Sequence, residues 1–168
     1  MSSPQTSEAI AVWRLALAAC GAVVLVDQVT KAIVVSSLAV GQRESLVLGV
    51  DLTNTTNRGL AFGIGQGQGF VLVVTIVALA LVVAWFAVDP RRPGLSLSVG
   101  LLVGGALGNL ADRVRADAVT DFIDFPLWPA FNLADVAITL GALGLVLSSV
   151  GAAGQGDPSD RSARPGSG

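Results

Sequence analysis

The sequence predicts an α-helical integral membrane protein: four transmembrane helices, with a small extramembrane β element and a loop on the outer face. Three observations lead there. Hydrophobic residues fill 52% of the chain and charged ones only 13%, with a mean hydropathy of +0.72, whereas a soluble domain carries about 25% charged residues. Four long apolar segments follow one another along the chain. The ionisable residues gather near one end of these segments instead of lining polar faces. At 168 residues the chain is long enough for one domain.

The first segment runs from Ile10 to Val26, interrupted by Arg14. It flows into "DQVTK" without a well-placed small-residue cleavage site, so it reads as a retained helix and not a signal peptide. The second, "FVLVVTIVALALVVAWFAV" (Phe70 to Val88), has no charge and a single Thr. At about 1.5 Å per residue it nearly spans a hydrocarbon core of roughly 30 Å. The third runs from Leu95 to Ala111 and carries Gly100, Gly104 and Gly108 on one helical face, a stripe that lets another backbone approach. The fourth runs from Ala134 to Val150.

Four spans place both termini on one side. The short basic turn "DPRRPG" (Asp89 to Gly94) favours the cytoplasm for that side. The basic residues otherwise divide evenly: Arg14, Arg91, Arg92, Arg161 and Arg164 fall inside, and Lys31, Arg43, Arg58, Arg113 and Arg115 outside. Charge bias alone therefore does not fix the orientation. Residues 1–9 read as a cytoplasmic tail, 10–150 as the membrane domain and 151–168, rich in Gly, Pro and Ser, as a disordered cytoplasmic tail. On the outer side, apolar residues alternate through "SLVLGVDL", which predicts a half-buried strand.

The chain has no His and no Tyr, and its one Cys, Cys20, lies in an apolar stretch and reads as a small core residue. Ser-His-Asp and Cys-His catalysis, a His-ligated metal and an internal disulfide are thereby excluded. A net charge of −2 gives no reason to expect nucleic acid. Chemistry is left to carboxylates, Lys, Ser/Thr or backbone.

Ionisable residues in spans are costly and point to function. Asp27 and Lys31 stand at i, i+4, as an interfacial salt bridge or a substrate-facing pair. In "GNLADR", Asn109, Asp112 and Arg113 share a helix face, with Asp112 able to hold Arg113 and Asn109 able to donate to a neighbouring loop. In "FNLAD", Asn132 is a good N-cap and Asp135 completes a capping box. A helix N-terminus also stabilises a carboxylate. The stretch "VTDFIDFPLWPAFNLAD" (119–135) adds Asp121 and Asp124 and contains no basic residue. Two close carboxylates share a proton, so one can act as base on a water and the other as acid toward a carbonyl. That is aspartyl-protease chemistry, with Asp135 and either Asp121 or Asp124. A proton-coupled transporter also uses intramembrane acids, but it would spread them through the bilayer depth.

"DQVTK" (27–31), "NRGLAFG" (57–63), "GGALGNLADR" (104–113), "VTDF" (119–122) and "FNLAD" (131–135) occur in that order. Together they resemble the lipoprotein signal peptidase family (signal peptidase II) of bacteria, across about residues 13–150. The resemblance implies an intramembrane aspartyl endopeptidase of the inner membrane, with both termini cytoplasmic and its active site near the outer face. It would cleave diacylglyceryl-modified prolipoproteins just before the lipidated Cys, beneath an extramembrane β-cradle. It selects Asp121 and Asp135 as the catalytic pair, leaving Asp124 outside the motif. Asn57, Asn109, Arg113 and Asn132 match the family's polar residues around the dyad and substrate backbone. Asp27, Lys31 and Asp112 match supporting positions. The resemblance further implies membrane lipid as surroundings, globomycin-type inhibitors in the substrate site, a monomer, and no metal or cofactor.

Overall fold

Runs of Ala, Leu and Val free of interior Pro carry most of the chain into helices. In the computed structural model the described residues are 4–46, 49–58, 68–88 and 94–153. They form α1 (Pro4–Ser37), β1 (Arg43–Ser45), β2 (Asp51–Asn57), α2 (Gln68–Val88), α3 (Leu95–Ala116), β3 (Val119–Asp124) and α4 (Leu133–Ala153). Among the described residues three helical stretches are long and apolar enough to cross a membrane, Ser7–Ser37, Leu95–Ala116 and Leu133–Val150, and α2 adds a shorter apolar stretch, Leu72–Val88. Leu17, Leu81 and Leu147 are each more than 60% exposed, while Asp27, Lys31, Asn109 and Asn132 are buried. Apolar residues outside and ionisable residues inside is the arrangement that lipid as solvent requires.

The helix α3 is the centre of the packing, set between α1 and α4. Its glycine stripe is used as expected. A Cβ at Gly104 would come within 2.8 Å of the Cys20 carbonyl oxygen and 2.9 Å of the Val23 Cβ, and one at Gly108 within 2.6 Å of an Asp27 carboxylate oxygen. The stripe thus brings α1 close and leaves room for a buried acid. On the other side, Gly141 of α4 seats against Leu102 and Ser98 of α3. Gly104→Val should force α1 away from α3 and destabilise the fold by about 1–3 kcal/mol. A lowered unfolding temperature in detergent would register it, and an unchanged one would show that the helices can separate freely. At the other end of the bundle, Phe86 of α2 meets Trp13 of α1 edge-on at 4.7 Å, over Ala16, Leu95 and Val99.

Two elements differ from the sequence expectation. The helix α1 does not end at Val26 but continues to Ser37. Its last turns bury Val34 and Leu38 against Phe122 of β3, so the sheet rests on this extension. The alternating "SLVLGVDL" is not one strand. Gly49 takes φ +77, a left-handed conformation open to glycine, and Leu46 N–H donates to Val50 O at 2.9 Å. The chain turns there, and β1 pairs antiparallel with β2. The sheet order is β1-β2-β3, all antiparallel. Between Leu52 and Thr55 the β2–β3 register shifts by one residue. The shift buries Thr53 and Asn54, and Asn54 Nδ2 donates to Leu38 O at 2.8 Å, closing the end of α1. The basic turn with Arg91 and Arg92, most of the Gly-rich "GIGQGQG", and the tail with Arg161 and Arg164 lie outside the described residues.

Candidate active site

The sequence from Asp121 to Asp135 forms a strand, a tight loop and a helix start. Pro126 and Leu127 take the middle of a turn in which Trp128 N–H donates to Phe125 O at 3.2 Å. Leu127, at φ +67, holds a conformation usually given to glycine in such a turn. Phe131 then returns to the strand, with its N–H on Ile123 O at 2.9 Å and its carbonyl accepting Ile123 N–H at 2.8 Å. Phe125 and Phe131 stack at 5.8 Å between centroids. These contacts place Asn132 beside Asp121.

Asn132 links the two expected catalytic acids. Its Nδ2 donates to Asp121 Oδ1 at 2.6 Å, and its Oδ1 accepts Asp135 N–H at 3.0 Å. Asp135 Oδ2 in turn accepts Asn132 N–H at 3.2 Å, which completes the capping box. Capping does not exhaust Asp135, because its Oδ1 accepts Asn109 Nδ2 at 2.8 Å. Burial, as the largest cause, pushes the Asp121 carboxyl up to about 6. The nearby Asp135 charge adds to the rise, and hydrogen bonds from Asn57 and Asn132 oppose it. Across the β2–β3 pair Asn57 lies opposite Val119, two residues before Asp121 on the same face of β3.

A raised folded-state value means that Asp121 favours the fold fully below the ordinary carboxylate range, and that this contribution is lost as pH rises through about 6. Asp121→Asn should therefore be more stable than wild type at about pH 8, by on the order of 2 kcal/mol, and no more stable at about pH 4. Unfolding temperatures of both proteins across that range are the check. A constant difference at all pH values would mean that Asp121 is not held in the low-dielectric setting described.

Behind Asp135 lies a buried polar cluster. Lys31 Nζ contacts Asp27 Oδ2 and Asp112 Oδ2, each at 2.8 Å, and donates to Asn109 Oδ1 at 3.0 Å. Asp27 Oδ1 accepts Ala134 N–H at 3.0 Å, at the first turn of α4. Asp27 and Lys31 thus form an internal pair, not a substrate-facing one. Asp112 does not hold Arg113. Consecutive residues on a helix point in different directions, and Asp112 turns inward to Lys31, to Gln28 Nε2 at 2.9 Å and to Thr120 N–H at 3.3 Å. Arg113 instead donates to Asn109 O, one turn back, at 3.3 Å. Asn109 donates to Asp135 at the start of α4, not to a loop.

Gln28 was not singled out from the sequence. It bonds Asp112 and Gly108 O, and accepts Arg115 NH1 at 2.7 Å. Its position between Asp27 and Lys31 on an apolar helix was the available signal. Asp124 sits apart from this network. Arg43 pairs with it and with Asp51, its β2 partner, at the sheet surface.

The family model described as Signal peptidase (SPase) II matches residues 19–151. The chain belongs to the signal peptidase II family. Its helical bundle with a small sheet resembles a solved bacterial membrane enzyme, obtained in meso at 1.9 Å resolution, with a TM-score of 0.75 and 32% identity over 79% of this chain and 90% of that one. A second such structure, at 2.3 Å resolution, gives a TM-score of 0.78 and 30% identity over 85% and 92%. A lipoprotein signal peptidase of Pelotomaculum thermopropionicum is 46% identical over 123 residues, covering 71% of this chain and 81% of the relative. One of Halothermothrix orenii is 39% identical, covering 74% and 88%. As a signal peptidase II family member the chain is a membrane protease, a hydrolase. The family match contains all nine positions singled out from the sequence motifs.

Proposed function

We propose that this protein removes the signal peptide of diacylglyceryl-modified bacterial prolipoproteins, cutting before the lipidated Cys with Asp121 and Asp135 as the catalytic pair. The observation that carries the reading is the single Asn132 side chain bonded to Asp121 on one side and to the backbone of Asp135 on the other. That bridge brings two carboxylates from β3 and α4 to one spot near the end of the bundle that bears the sheet. Family membership supplies the reaction.

In this mechanism the pair shares one proton. Asp121, with its raised affinity, donates it to the scissile carbonyl oxygen while Asp135 takes a proton from the attacking water. The tetrahedral intermediate then collapses. Asp135 gives its proton to the leaving amine, and a hydroxyl proton returns to Asp121. Asn109 and Asn132 hold the acids, and Asn57, on the face of Asp121, orients the substrate backbone together with Arg113. Asp27, Lys31 and Asp112 brace α1, α3 and the start of α4.

We place the protein in the bacterial inner membrane as a four-span monomer, with both termini cytoplasmic and the dyad near the outer face. Residues 10–150 form the peptidase unit. Substrate enters from the bilayer, and globomycin-type inhibitors compete for the same site. The test is to incubate purified protein in lipid with a diacylglyceryl prolipoprotein and to weigh the products. The expected product begins at the lipidated Cys. An intact substrate, or a cut elsewhere, would refute the reading.

A further inference from the structure

A groove of about 420 Å³ begins at Asp135 and follows α4. Trp128 and Phe131 of the returning loop form its roof, and Val136, Thr139 and Leu140 its floor. Asp135, Val136, Thr139 and Leu140 share one helix face, so the groove descends about one turn from the acid, some 6 Å. Val136 and Leu140 are exposed on the outside of a helix that crosses the membrane, so the floor is continuous with the lipid-facing surface.

We infer that this groove holds an acyl chain of the substrate's diacylglyceryl group, next to the scissile bond. The inference rests on the function proposed above. Two features of the groove select this occupant. The first is its chemistry. Apart from Asp135, the polar groups in the lining are the Thr139 hydroxyl, which already donates to Asp135 O at 2.8 Å, and the indole N–H of the exposed Trp128. A peptide backbone lying there would leave most of its N–H and C=O groups without partners, whereas an acyl chain needs none. The second is position. The lipidated residue directly follows the cut, so its ester-linked chains start one cysteine side chain and one glyceryl unit away from the scissile bond, near the two acids. Among the described residues, the groove is an apolar surface that reaches Asp135. The apolar hollow lined by Ala22, Val23, Val26, Leu133 and Ala137 is a separate one, between α1 and α4, and its lining omits both acids.

A lipid chain gains little hydrophobic energy by moving from bilayer to groove, since the bilayer is as apolar as leucine. The groove acts by orientation, fixing the glyceryl-bearing residue so that the carbonyl before it faces the dyad.

Photo-crosslinking tests this. The probe is a diacylglyceryl prolipoprotein peptide with a diazirine in the acyl chain near the ester. It is bound to the full-length Asp121→Asn variant in lipid, and the labelled residues are mapped by mass spectrometry. Label on Trp128, Val136 or Leu140 is expected, lost with excess unlabelled lipidated substrate and lost in an additional Leu140→Trp variant that fills the groove. Excess unlipidated peptide should leave it in place. Label at Ala22 or Val26 instead would overturn the inference, as would label that lipidated substrate does not compete, which would mark bulk lipid. The wild-type protein separates the two readings. If it leaves the same probe uncut, the proposed function falls as well. If it cuts the probe while the label lies elsewhere, only the groove assignment falls.

Discussion

Asp121→Asn and Asp135→Asn should each abolish prolipoprotein cleavage, with losses of about a thousandfold or more, in the upper part of the range for removing a general acid or base. Each substitution keeps the size of the side chain and removes its capacity to exchange a proton. At Asp121 the amide oxygen can still accept Asn132 Nδ2, and the new NH₂ can donate to Asn57 once that side-chain amide turns its oxygen round, so the local structure is retained. The variant should also gain stability at neutral pH, so its inactivity could not be blamed on unfolding. At Asp135 both carboxylate oxygens already accept donors, Asn109 Nδ2 and Asn132 N–H. An amide there must turn its own NH₂ toward one of them, so this variant should be somewhat less stable as well as inactive. Asp124→Asn is the control. It weakens an ion pair to the 60% exposed Arg43 at the sheet surface, an interaction of small value, and cleavage should stay near the wild-type rate. Gel-shift processing in cells lacking their own enzyme reads all three. Normal processing by either dyad variant would remove that acid from the mechanism, and inactivity of Asp124→Asn would reopen the choice between Asp121 and Asp124.

The parts of this site legible in the sequence are those whose cause is local. The spacing of Asn132 and Asp135 is a capping box, and the hydrogen bonds form it. The four-residue Gly stripe on α3 is a packing face, and α1 lies on it. What stayed hidden depends on partners distant in the chain. An aspartate and a lysine after Val26 look like the end of a span, because one helix alone can pair them but cannot bury them with their remaining polar atoms satisfied. Asp112, Asn109 and the Ala134 N–H do so from α3 and α4, and α1 runs on to Ser37. Strand β3 has a local signal in Val119, Thr120, Phe122 and Ile123, which are typical strand residues, but Asp121 and Asp124 break the alternation of apolar and polar positions that marks a half-buried strand. The hairpin in "SLVLGVDL" was likewise masked, because alternation does not reveal where a glycine turns the chain.

Lys31→Met should be the most destabilising single change in the cluster behind the dyad. The ammonium is 5% exposed and contacts two carboxylates, one of them fully buried. Removing it leaves Asp27 and Asp112 facing each other without a cation. Breaking a buried pair in this way costs about 3–5 kcal/mol, because the remaining charge has no water to return to. The apparent unfolding temperature in detergent should fall sharply. Adding Asp27→Asn to Lys31→Met should recover part of the loss by removing one orphaned charge. The change also reaches the chemistry. A lysine can only donate, so the Asn109 atom facing it must be oxygen, and the amide nitrogen must then face Asp135. Without Lys31 that orientation rests on the Asp135 carboxylate alone. Cleavage by the double variant should therefore stay below wild type even where its stability returns. An unchanged unfolding temperature in Lys31→Met would show that the cluster is not held by charge, and full activity in the double variant would show that Asn109 needs no orienting partner besides Asp135.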